Sequence, residues 1–149
     1  MNRKMLLPLF LSALVFSSSS FAQSKTVVND TKAKNMLLGR HLFSLQWISW
    51  DRFGTATVTD RNGVFRLKGE QRRGGDFVKI DGIITSIDAA EFKFDGTITT
   101  QISHIAGGAP CERNGEMTFA VTGKRKYWRL QEMQNPCDDV VDYVDVYFR

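Results

Sequence analysis

Cys111 and Cys137 are the two cysteines of this 149-residue chain, and their setting constrains their chemistry most. Each lies in turn-forming sequence, Gly-Gly-Ala-Pro-Cys and Gln-Asn-Pro-Cys-Asp-Asp. In an oxidising compartment the pair predicts one disulfide. It closes a loop of about 27 residues, which contributes about 3–4 kcal/mol on chain-entropy grounds. A metal site would need two further nitrogen or sulfur ligands at suitable spacing, and His41 and His104 do not supply them. Asp138, Asp139, Asp142 and Asp145 form an acidic segment without the spacing of a calcium loop. Ser103 and His104 are adjacent, but a nucleophile and its base need a third orienting group and an oxyanion site. Gly74-Gly75 and Gly107-Gly108 read as turns rather than phosphate loops. No catalytic set, metal or cofactor is expected. An enzyme on this chain would centre on His104 or on the Lys79 and Asp81 pair.

The N-terminus narrows the compartment. Arg3 and Lys4 precede an apolar run over 5–16, a serine stretch, and Ser20-Phe21-Ala22, the three-part layout of a secretory signal peptide covering 1–22. The run falls short of the roughly 20 residues that cross a bilayer. The whole chain carries 20 Lys+Arg against 16 Asp+Glu, a net +4. Two of the bases leave with the signal, so the mature balance is near neutral. Arg72-Arg73 and Lys124-Arg125-Lys126 are then short solubilising clusters, and no nucleic-acid partner is expected. The expected protein is exported, periplasmic or extracellular, monomeric, and without a transmembrane segment after cleavage.

The elements that position these groups follow from hydrophobic period. Residues 23–41 read as an N-terminal arm with a short helix, capped by Asp30 or Thr31 and ending near Gly39. Beyond Gly39 the period is two, which predicts strands over 42–50, 55–61, 64–70, 76–87, 92–103, 116–122, 127–133 and 140–148. Asn62-Gly63 predicts a two-residue hairpin that sets Val58 opposite Leu67 and Ala56 opposite Gly69. The turn at Ala89-Ala90 sets Ile87 beside Phe92 and Ile83 beside Gly96. Val78 and Ile80 are out of phase with Ile83 and Ile87, so a bulge is expected near Gly82, which keeps Lys79 and Asp81 outside.

One apolar face per strand, with hairpin connections throughout, predicts an all-β fold: an eight-stranded antiparallel up-and-down barrel over 42–149 with a short N-terminal helix. A two-sheet β-sandwich is the alternative. The expected interior includes Phe43, Leu45, Trp47, Phe65, Ile83, Phe94, Phe119, Trp128, Val144 and Val146. In a meander the loops alternate between two ends, so the loops carrying Cys111 and Cys137 share one end, as a disulfide requires. That end gathers the long loops and Arg72, Arg73, His104 and Arg113, and is the expected mouth.

This pattern resembles the lipocalin and calycin barrels: a helical turn before the first strand, a glycine leading into that strand, and eight meandering strands. Gly39-Arg40-His41 stands where those families carry Gly-any-Trp, with His at the third position. The resemblance implies a ligand-binding or protein-inhibiting barrel, and no catalytic residue comes with it. A small apolar or amphipathic ligand would then sit at the mouth against Trp47, Phe65, Phe94, Phe119 and Trp128, with Arg72, Arg73, His104 and Arg113 at the rim. The alternative is a protein-interaction module, such as an inhibitor of an envelope hydrolase. Its surface would be Ile48, Trp50, Tyr143 and Tyr147, expected to face outward where the first and last strands meet.

Overall fold

The computed structural model describes residues 23–149. The expected signal peptide, 1–22, lies outside the described residues. The chain begins with a short strand, β1 (Val27–Val28), and a helix, α1 (Thr31–Leu37). Asp30 caps the helix, its carboxylate accepting from the Ala33 N–H at 2.6 Å. Ala33 and Leu37 turn inward from this helix, which lies beside the turns around Ala89-Ala90 and Lys124-Arg125.

Eight antiparallel strands follow: β2 (Gly39–Leu45), β3 (Gly54–Arg61), β4 (Val64–Arg73), β5 (Asp76–Ile87), β6 (Glu91–Gln101), β7 (Cys111–Ala120), β8 (Tyr127–Leu130) and β9 (Val144–Tyr147). Each pairs with its neighbour in sequence, and β2 pairs with β9 to close the ring. The closed barrel excludes the sandwich. The Asn62-Gly63 hairpin has the expected register, Val58 opposite Leu67 and Ala56 opposite Gly69. Asn62 and Gly63 both take positive φ, as a tight hairpin of this kind requires.

β5 departs from the expected phase. The register shift falls between Ile84 and Ser86, so Gly82 pairs with Gly96 and Ile83 with Asp95. Ile84 is buried and Ile83 faces outward, which corrects the expected interior. The reason is steric. A Cβ on Gly82 or Gly96 would come within 2.7 Å of the Phe94 ring. The two glycines make room for that ring and leave the strand regular there. Lys79 and Asp81 do point outward, where Asp81 meets Arg66 at 2.6 Å.

β1 was not anticipated. It runs parallel to β5, Val27 and Val28 pairing with Ser86 and Ile87. β4 stops pairing at Phe65 opposite Ile84, so β1 takes up the stretch of β5 beyond it. His41 fastens the helix to the barrel. Its Nδ1 lies 2.8 Å from the Tyr147 carbonyl oxygen and its Nε2 lies 2.7 Å from that of Leu37.

Candidate functional site

The expected mouth is a folded plug. β8 and β9 are shorter than the period suggested, because the chain between them forms its own small hairpin with a bridge from Gln134 to Val141. This hairpin brings Asp142 to the barrel end. Its carboxylate accepts from Trp47 Nε1 at 3.0 Å and Asn135 Nδ2 at 2.9 Å, and it pairs with Arg113 Nη2 at 2.8 Å. The same guanidinium donates to the Gln134 carbonyl at 2.9 Å. Gln71, also buried, accepts from the Leu45 N–H and donates to the Arg52 carbonyl. A disulfide joins Cys111 to Cys137, with Cα atoms 6.0 Å apart. Asn135 then accepts from the Cys137 N–H, which fixes the tip of the hairpin.

The aromatic residues expected to bind a ligand belong to the barrel core or, in the case of Trp47, pack against it. Phe65, Phe94, Phe119 and Trp128 are core. Phe92 stacks on Phe119 at 5.0 Å, Phe94 meets Phe119 edge-on at 6.1 Å, and Trp128 packs on Phe92 and Phe148. Five surface hollows are lined by outer-face, helix and loop side chains, and the rings of Phe65, Phe92, Phe94, Phe119 and Trp128 line none of the five. Arg113 is buried in its ion pair. Arg72 is exposed, bound to Glu70 and lying over the Phe77 ring. Arg73 is exposed, as is His104, whose ring meets Trp47 edge-on. Ser103 donates to Asp76 rather than engaging His104. Among the described residues no group of three or more His, Cys, Asp or Glu is arranged to hold a metal ion.

The outer face where the ring closes is built differently. Ile48 is core rather than outward, because the chain turns in after Leu45. Trp50 is 60% exposed, and Tyr143 and Tyr147 are half-buried on the exterior. The registers of β2, β9 and β8 place Tyr127 beside Tyr147, and Ser44, Asp145 and Arg129 in the next row. Arg129 Nε and Nη2 both lie 2.7 Å from the Asp145 carboxylate. The guanidinium lies 5.0 Å from the Tyr127 ring centre and 4.2 Å from that of Tyr143. Phe53 packs against Tyr147 at 5.1 Å, and Leu42 is exposed on β2.

An ion pair is thus buried on the outside of the barrel, roofed by aromatic rings. The hydrogen bonds to Asp145 raise the Arg129 guanidinium above its ordinary value. Burial likewise pushes the Tyr147 phenol up. Reasoning from sequence missed Leu42, Phe53, Tyr127, Arg129 and Asp145. The signal was present: Arg129 alternates with Tyr127, and Asp145 lies between Tyr143 and Tyr147, all in the outward phase of strands that neighbour one another.

These features define a class: a closed eight-stranded barrel with a filled interior, a disulfide-fastened end and an aromatic outer face. The chain matches the PM1083 family over residues 25–148 and belongs to it. It is similar to a protein of Pasteurella multocida (strain Pm70) carrying the name Uncharacterized protein PM1083. The two are 47% identical over 133 residues, covering 89% of this chain and 86% of that one. No solved structure matches. No helix among the described residues is long and apolar enough to cross a membrane.

Proposed function

We propose that this protein is an exported, non-catalytic protein-interaction module that works through the outside of its barrel. The filled interior is the observation that carries the reading. A lipocalin-like ligand site needs a hollow of a few hundred Å³ lined by apolar side chains. Here that space holds the packed rings of Phe92, Phe94 and Phe119. The aromatic and arginine content of the outer face is the composition that protein interfaces favour. The disulfide suits an oxidising compartment and a preformed surface.

Native mass spectrometry of the protein purified from its own exported fraction tests this. A co-purifying protein, with no change in tryptophan fluorescence across a panel of lipophilic compounds, is the expected result. A retained small apolar molecule at one per chain, displaced by those compounds, would overturn the reading.

A further inference from the structure

The outer face carries a more specific inference, which rests on that reading and names the partner chemistry. A guanidinium has five N–H donors in a planar fork. Asp145 takes the side-on pair of Arg129, from Nε and Nη2. The end-on edge, formed by Nη1 and the second N–H of Nη2, has no protein partner among the described residues. Yet the Arg129 side chain is only 12% exposed. With Tyr127 and Tyr143 lying against the guanidinium, a ligand has that edge as its way in.

Arg129 lines a groove of about 260 Å³ on the outer face, whose walls include Met133, Val141 and Tyr143 and whose rim includes Arg125. Asp145 neutralises Arg129, so a second carboxylate arriving end-on would need its own countercharge. Arg125, exposed and over the Tyr127 ring at 5.8 Å, supplies it. The apolar walls ask for an apolar side chain next to that carboxylate.

We propose that this groove captures a protein segment bearing an Asp or Glu flanked by apolar residues, the carboxylate received end-on by Arg129 beside Arg125. Bidentate guanidinium–carboxylate contacts of this kind are short and geometrically selective.

The test is a titration of the intact 15N-labelled protein with acetyl-Leu-Glu-Leu amide and, separately, its Leu-Gln-Leu counterpart, following the Arg129 Nε–H resonance. The Glu peptide is expected to shift that resonance saturably and to bind at least about tenfold more tightly than the Gln peptide. Arg125→Gln changes an exposed side chain, leaves the spectrum otherwise intact, and is expected to remove most of that preference. Equal binding of the two peptides, no saturable shift, or an undiminished preference in Arg125→Gln would each overturn the site. If a partner protein co-purifies while the Glu peptide leaves Arg129 unmoved, this site fails and the interaction reading stands. Displacement of the Glu peptide by inorganic phosphate at equal concentration would also overturn it, by showing an unselective anion site.

Discussion

Replacing Asp142 with alanine is expected to be among the most damaging single changes to the mature chain. Its carboxylate receives Trp47, Asn135 and Arg113 at a site 1% exposed, and the Arg113 side chain is 8% exposed. Removing the carboxylate leaves a guanidinium buried without its counter-ion and strands the two neutral donors. Breaking such a pair from one side costs about 3–5 kcal/mol. For a domain of this size that lowers the thermal midpoint by on the order of 10–25 °C. Urea unfolding followed by tryptophan fluorescence measures the loss, and thermal melting followed by circular dichroism measures the shift in midpoint.

The argument also fixes the double variant. Arg113→Met with Asp142→Leu removes both charges and refills the space, so its loss should be smaller than that of Asp142→Ala alone. A loss below about 1 kcal/mol in the single variant, or a double variant worse than the single, would refute the view that the pair and its two neutral donors hold the barrel end shut.

Gly96→Ala should cost about 3 kcal/mol or more, because its Cβ would meet the Asp81 carbonyl at 2.4 Å and Gly82 Cα at 2.5 Å, both backbone; chemical denaturation measures it. Replacing Cys111 and Cys137 together with serine should cost about 3–4 kcal/mol, and the variant should lose the sensitivity to reductant that the native chain shows in the same unfolding assay. Asp138 is held below the ordinary carboxylate range by the backbone N–H groups of Ala106 and Asp139. A depressed folded value means that its contribution is present above the unfolded value and is lost as pH falls through the folded one. Asp138→Asn should therefore flatten the fall in urea midpoint below about pH 4, and an unchanged slope would count against the bond.

Much of this barrel was legible because its ladders are local. Asn62-Gly63 fixes one hairpin to the residue, and alternation then assigns inside and outside for most of β3, β4, β6 and β7. The phase of β5 was not legible, since a glycine in a strand marks either a bulge or a close approach. At Gly82 it is the approach of the Phe94 ring, which depends on a residue in the next strand. The early end of β8 and the late start of β9 were hidden for a related reason. Residues 131–133 and 140–143 continue the alternation of the strands beside them, but with the loop over 134–139 they fold as a hairpin across the barrel end that brings Asp142 to Arg113. The outer site was only half visible: Tyr143 and Tyr147 stood out by their outward phase, whereas the burial of Arg129 and Asp145 exists only once β8 and β9 are side by side.

At Gly82 and Gly96 the barrel wall has no side chain on its inner surface, and one phenyl ring both lines and fills the space beside it. The difference between a solid barrel and a carrier is therefore a matter of volume at a few positions, with strand number, register and closure left untouched. Phe94→Ala would remove the ring that occupies that space and leave a dry apolar void of the kind that takes up benzene. Within this architecture a solid interior and a hollow one are neighbouring outcomes of one backbone, separated by the bulk of a few inward side chains, Phe94 among them.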